Sequence, residues 1–322
     1  MSKWRLSLAV LAITAVTVLG STINAVIAQQ AGGSGLQISP TRTELSVSPG
    51  EIKEFSVVVK NVTPGDITAK AFLNDFEADN VTGEPKIIVD DRKNNPGSLK
   101  SYLKGLQDFD LKSGESKEVK LSIDASADMP AGGYYGAVRF AAVPKGSQQS
   151  EADRQVALTA SVASLVLVEV SGNITEQAQV NSVKIYRNKK ASSFFMSAPN
   201  NIGVEIRNSG NTFSKPFGRV TVNKAGGKEI FAYELNNKDP RGNVLPNSSR
   251  TFIDELKNVK TPGRYTVTAN VSHGNGGEVI TSKVSFWYIP AWLLAVIVVL
   301  LLAAVGGAYY LYKKQFKGKR KK

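Results

Sequence analysis

The sequence predicts an all-β chain, two sandwiches in tandem followed by one membrane-spanning helix. Three observations carry this. Short runs rich in β-branched residues recur between Gly, Pro, Asn and Ser turns. A turn-and-strand pattern in the first half returns in the second. Residues 289–312 carry no charge and stand directly before a run of lysines.

The N-terminus reads as an export signal. Lys3 and Arg5 precede the uncharged, mostly apolar run Leu6 to Leu19, and Gly20 breaks it. That run is short for a spanning helix. Small residues follow at Val26-Ile27-Ala28, which places cleavage between Ala28 and Gln29. The competing expectation is an uncleaved N-terminal anchor, with Thr22 to Ala28 extending the run. The absence of any Cys excludes a lipid-modified cysteine at the cleavage point. It also excludes disulfide staples, so each exported domain must be held by its own core and needs about 100 residues.

Strands are expected at Ile52 to Lys60, Lys117 to Ile123, Tyr134 to Val143 and Gln155 to Val170. Others are expected at Ile202 to Arg207, Gly218 to Val222, Arg264 to Val271 and Glu278 to Tyr288. In Lys117 to Ile123, the residues Val119, Leu121 and Ile123 fall on one face, as a half-buried strand requires. Gly97 to Phe109 is ambiguous between a helical turn and a solvated connection, and the connection is the reading taken. Two patterns recur. Val57-Val58-Val59-Lys60-Asn61 resembles Val204-Glu205-Ile206-Arg207-Asn208, and Pro130-Ala131-Gly132-Gly133-Tyr134 resembles Pro262-Gly263-Arg264-Tyr265. The simplest account is two tandem immunoglobulin-like sandwiches, 36–172 and 178–287, parted near Gly172 to Gln179.

Ile289 to Tyr312 is 24 residues long, which at about 1.5 Å per residue reaches roughly 36 Å, enough to span a bilayer core. Trp287, Tyr288 and Trp292 open it and Tyr309, Tyr310 and Tyr312 close it, where amphipathic rings favour the headgroup level. Lys313, Lys314, Lys317, Lys319, Arg320, Lys321 and Lys322 follow as a tail over 313–322. Positive residues beside a span stay in the cytoplasm, so the ectodomain is expected outside the cell membrane. These ends also explain most of the formal net charge of +13. The signal segment holds two of the positive charges and the tail seven, leaving +4 for 29–287. A nucleic-acid protein would carry its excess on the folded part, so nucleic acid is not an expected partner.

Set beside known proteins, the chain resembles the WxL-interacting surface proteins of Gram-positive bacteria. The residues that carry the resemblance are Ile38-Ser39-Pro40, Phe55 to Asn61, Leu111-Lys112-Ser113-Gly114-Glu115-Ser116, and Met129 to Val138. The second sandwich matches by layout only. The resemblance implies a signal peptide, a first sandwich that binds peptidoglycan, a second that binds a protein partner, one C-terminal helix and a Lys-rich tail.

Little in the sequence points to catalysis. His273 is the only His and sits in the Gly-rich turn Ser272 to Gly277, which reads as an exposed hairpin tip. One His and no Cys build no zinc site of the usual type, and no Gly-x-Ser-x-Gly turn is present. Asp75, Glu77 and Asp79 alternate, and Asp90-Asp91 follow; on an exposed sheet face such carboxylates are ordinary solvation, without the spacing of a calcium loop. Neither Gly32 to Gly35 nor Gly274 to Gly277 continues into the Lys-Ser/Thr of a phosphate loop. Asn-x-Ser/Thr triplets stand at Asn61, Asn80, Asn173, Asn247 and Asn270. Tyr134, Tyr135, Phe194, Phe195 and Phe213 are candidates for a sugar-stacking or partner surface; the alternative puts Tyr134 and Phe194 in the core with their neighbours outward. Ala303 and Gly307 form a small-xxx-small pair in the helix. Ligand-binding residues are not identifiable, and the long Gly97 to Leu111 connection is the expected place for a ligand loop. No catalytic residue, metal site or cofactor is expected. Two function classes follow: a membrane-anchored adhesion module for cell-wall polymer or a surface protein, and a membrane-tethered hydrolase or its accessory module. The first is favoured because no nucleophile or cofactor loop is recognisable. A strand-adding assembly protein is a third possibility.

Overall fold

The computed structural model describes residues 35–79, 82–88, 95–145, 161–274 and 279–318. Ala28 and Gln29, the acidic pair Asp90 and Asp91, and the tail residues Lys319, Arg320, Lys321 and Lys322 lie outside the described residues.

Among the described residues the chain is mostly β-strand, with one helix. The first half contributes β1 (Leu36–Ser39), β2 (Arg42–Val47), β3 (Ile52–Asn61), β4 (Ile67–Ala78) and β5 (Pro85–Ile88). It continues with β6 (Leu103–Lys104), β7 (Phe109–Leu111), β8 (Ser116–Asp124), β9 (Gly132–Pro144) and β10 (Ser161–Val170). They form one sheet in the order β1-β3-β8-β6 and another in the order β2-β10-β9-β4-β5, with β7 also on β4. Pro40, which has no N–H to donate to a ladder, separates β1 from β2. The chain switches sheets there: β1 runs antiparallel to β3, and β2 runs parallel to β10.

The second half contributes β11 (Ala178–Arg187), β12 (Lys190–Ala191), β13 (Phe194–Phe195), β14 (Asn201–Asn208) and β15 (Phe217–Lys224). After these come β16 (Glu229–Leu235), β17 (Ser249–Glu255), β18 (Gly263–Ser272) and β19 (Ile280–Tyr288). The sheets run β12-β11-β14-β17 and β13-β19-β18-β15-β16. The five-stranded order repeats that of the first half strand for strand, including a short early strand laid parallel to the last one. The faint repeat in the sequence is therefore also a repeat of topology.

Each sheet pair encloses its own apolar cluster. One is built on residues such as Val57, Leu121, Ile123 and Phe140, the other on Ile202, Val204, Tyr265 and Phe286. Fully burying one such side chain is worth about 1.5–3 kcal/mol. Alternation makes this possible. In β8, Val119, Leu121 and Ile123 are the buried set, and in β18 every second residue from Tyr265 to Val271 is buried.

Two polar devices explain the sequence repeat. Asn61 ends β3 fully buried; its amide donates to the carbonyls of Gly65 (2.8 Å) and Lys112 (3.0 Å) and accepts the Thr63 N–H (2.8 Å). Asn208 ends β14 in the same role, donating to Thr212 and Val244 and accepting the Gly210 N–H. The Tyr134 hydroxyl donates to the Pro130 carbonyl and that of Tyr265 to the Thr261 carbonyl, each four residues back. Such a corner holds the connection that enters the strand.

Three expectations need correction. Gly97 to Phe109 is not a solvated connection throughout, because Leu99 and Leu103 are core residues and Leu103–Lys104 pairs with β8. Asp75 is not on an exposed face. It is 3% exposed, with Lys100 Nζ 3.3 Å away, because that end of β4 is covered on both sides. Phe194 is outside and Phe195 inside, the reverse of the expected parity, because Phe195 meets Phe286 edge-on at 5.8 Å.

The helix α1 (Ala291–Gly318) begins two residues later than expected. The Ile289 N–H is still engaged by the Phe195 carbonyl, so the ladder ends there. Beyond Tyr312 it runs on through Lys313, Lys314 and Lys317. Lysine is a good helix former and its charge suits the negative end of the helix dipole.

Candidate binding clefts at the seam between the sheet pairs

Much of the outer face of β9 is covered: Ala137, Arg139 and Ala141 are buried and Tyr135 is half-buried. Tyr135 and Ala137 point away from the first core. With Phe76, Leu167 and Leu245 they form a third apolar cluster that joins the two halves. Phe213 rests on Gly133, where an added Cβ would come within 3.1 Å of the ring, and meets Tyr135 at 6.2 Å. Tyr135 in turn meets Phe76 at 5.1 Å. Backbone joins the halves too: the Gly133 N–H donates to the Asn211 carbonyl at 2.7 Å. The Asn211 amide donates to the Ala131 and Asn173 carbonyls, and its oxygen accepts the Thr175 N–H.

Polar groups flank this patch. Glu44 on β2 receives Arg42 at 3.0 Å, the Asn243 amide at 3.0 Å and the Lys215 ammonium. Burial works to raise the Glu44 carboxyl, but hydrogen bonds from Lys215 and Asn243 and the charges of Lys215 and Arg42 hold it below its ordinary 4.5. Arg42 also donates to the Arg241 carbonyl, and Thr212 donates to Glu169 at 2.5 Å. The Arg241 guanidinium stacks on Phe217 at 4.6 Å.

Among the described residues, clefts open along the seam. One of about 450 Å³ is lined by Glu44, Glu169, Glu176, Phe213, Lys215 and Arg241, among others. Two of about 310 Å³ each lie on either side of Tyr135. One has Glu77, Asp79, Lys86 and Asn247 in its wall, the other Asn95, Gly97, Tyr134 and Asn211. The first two walls mix both charges with aromatic faces and the third is uncharged, with Tyr134, Tyr135 and amide side chains, a lining that suits binding of a polar polymer or peptide. Among the described residues, these walls hold no nucleophile hydrogen-bonded to a base. Glu44 and Glu169, the carboxylates best placed in the large cleft, already serve as acceptors within the seam.

The residues expected from sequence fall in several places. The start of the Gly97 to Leu111 segment lines a cleft at Gly97, whereas Phe109 and Leu111 are core. Asp75 is buried beside Lys100 and lines none of these clefts. His273 is half-buried beside Gly274, which packs on Glu176. The amide of Asn61 is consumed by its corner, so that triplet is structural. Phe213 and Tyr135, candidates for an exposed surface, face each other across the seam. Trp287, Trp292, Tyr309, Tyr310 and Tyr312 are exposed, and Tyr288 is half-buried against the second core. Lys313 and Lys314 are exposed on the helix. Asn243 and Lys215 carried no sequence signal, because each acquires meaning only through Glu44, some 170 or more residues earlier.

No family model matches the sequence, and no curated protein matches it. Several solved structures are similar to it. The class 5 fimbriae chaperone CfaA is 16% identical, with a TM-score of 0.37 over 79% of this chain and 99% of that one. The chaperone YadV is 13% identical, with a TM-score of 0.35 over 78% of this chain and 100% of that one. The CupB2 chaperone of Pseudomonas aeruginosa is 12% identical, with a TM-score of 0.34 over 77% and 98%. At such identities and scores nothing about what those proteins do carries over to this chain.

Proposed function

We propose that the chain is a single-pass membrane protein whose two immunoglobulin-like sandwiches, 36–172 and 178–287, form a non-catalytic binding ectodomain outside the cell. Its ligand in this reading is cell-wall polymer, peptidoglycan first, with a surface protein as the other partner, as in the WxL-interacting proteins that it resembles. The observation that carries the reading is the helix. Its 24-residue apolar span Ala291–Lys314 has none of its most apolar window buried by the rest of the chain, and it follows β19 with only Ile289 and Pro290 between. An apolar surface of this length is stable in lipid and costly in water. A binding role is supported by the seam, where two clefts carry charged and aromatic side chains, a third carries tyrosines and amides, and Glu44 and Glu169 are occupied as hydrogen-bond acceptors.

The test is co-sedimentation of the detergent-solubilised full chain with insoluble peptidoglycan, at low and high salt. Retention at high salt is the expected result. Loss of all binding at both salts removes the wall polymer as ligand. Turnover of a wall glycan, abolished by changing one acidic residue, would replace the binding reading with the hydrolase.

A further inference from the structure

The end of the second sheet pair from which the helix leaves is built unlike the rest of its surface. β13 runs parallel to β19, pairing Phe194 with Trp287 and Phe195 with Tyr288. Both chains therefore head toward the helix together. The turn that follows β13, Met196 to Pro199, reaches the level of Ile289, and the Ile289 N–H bonds to the Phe195 carbonyl. Pro290 is buried, so the junction is not a free linker. Trp287 and Ala291 are four positions apart, so Trp287 stands roughly 13 Å or less from the helix start. On this end Phe194 is 43% exposed, Trp287 47% and Met196 56%. Phe195, between Phe194 and Met196, is buried.

The same end gathers positive charge. Pairing of Tyr186 with Asn201, Glu255 with Asn201, Lys224 with Tyr265, and Gly263 with Tyr288 brings three turns to it, over 187–190, 224–228 and 255–262. Arg187, Lys189, Lys190, Lys228, Lys257 and Lys260 are all exposed there. Glu255, paired with Lys257 at 3.0 Å, is the one acidic residue in the three turns. Arg264, the cross-strand neighbour of Trp287, adds a further cation beside the rings.

We infer that this end of the second sheet pair is a lipid-docking face: Phe194, Met196 and Trp287 enter the headgroup layer of the bilayer that the helix spans, and the surrounding basic turns hold anionic lipid phosphates. The inference rests on the membrane-anchored reading. Continuity with the span identifies the occupant, because a helix leaving through a two-residue junction holds this face at the bilayer surface. Exposed aromatic and thioether side chains ringed by cations are the chemistry of an interfacial contact. The rigid junction then sets the tilt of the ectodomain, which a flexible stalk would leave free.

The chain has no Cys, so a single introduced one is a unique label site. We would place an environment-sensitive fluorophore at Met196→Cys, at Val299→Cys in mid-helix, or at Lys112→Cys in the first sheet pair. The full chain would be reconstituted in nanodiscs containing phosphatidylglycerol, with shallow or deep spin-labelled lipid as quencher. The expected result is quenching of at least about twofold at Met196→Cys by the shallow quencher, at Val299→Cys by the deep one, and at Lys112→Cys by neither. Quenching at Val299→Cys without quenching at Met196→Cys overturns the docking face and leaves the anchor standing. Quenching at neither overturns the anchor itself, and the face with it. Protection of Met196→Cys from both lipid quencher and aqueous iodide would mean that protein covers the face, which also overturns the inference. Equal quenching at Met196→Cys in neutral phosphatidylcholine discs would remove the anionic headgroups from it.

Discussion

Asn208 is 1% exposed, and its one amide holds three backbone groups, the carbonyls of Thr212 and Val244 and the N–H of Gly210. Removing it takes this partner from the Thr212 carbonyl and the Gly210 N–H and leaves the Val244 carbonyl with the Ser214 N–H alone, and each buried loss costs about 1–3 kcal/mol. Asn208→Ala should therefore destabilise the second sheet pair by on the order of 3 kcal/mol, seen as a lower urea midpoint with little change in slope. Asn61→Ala should do the same to the first. A loss in either case no larger than that of an exposed Asn would show that water replaces the amide. Both residues were visible in the sequence as the last letter of a repeated strand. What the repeat could not convey was why Asn stands there. The reason is a pair of carbonyls brought in by segments as far away as Lys112 and Val244.

Among the elements, β2 decides how the halves are joined, since Glu44 draws Arg42, Lys215 and Asn243 to one carboxylate. Its carboxyl is depressed in the folded chain, so its contribution is complete above its ordinary 4.5 and is lost as pH falls through the lower folded value. Hydrogen exchange should report this at the Gly133 N–H, which crosses the seam to Asn211. Protection there is expected to hold at about pH 6 and to fall at about pH 3. In Glu44→Gln it should be lower at pH 6 and change less with acid. Equal acid sensitivity in both proteins would assign the effect to other carboxylates. Strand existence was legible where one face is buried, as in β8 and β18. It was less legible in β4, where Asn74, Asp75 and Phe76 are consecutive and all buried, so no alternation marks the strand.

For the whole molecule, the helix is the feature with the largest consequence. A chain ended after Pro290 should remain in the supernatant after high-speed centrifugation, whereas the full chain should stay with the membrane pellet through an alkaline carbonate wash. A full chain released by carbonate would mean that α1 lies on the membrane or on a partner rather than across the bilayer. The truncated chain would also lose the short tether that keeps Phe194 and Met196 near lipid.

The β texture, the repeat and the apolar helix with its aromatic and basic flanks can be read from the order of the amino acids. Period, turn chemistry and an uncharged run are local properties, and the physics that reads them acts within a few residues. Which faces are buried, and by what, is set by distant segments packing together. Tyr135 and Phe213 are adjacent across a seam although 78 positions part them. Phe194 rather than Phe195 is outside because Phe195 meets Phe286 across a parallel pairing with a strand some ninety residues later. Alternation requires that one of two neighbours be buried, but the choice between them belongs to the surface that arrives to cover it.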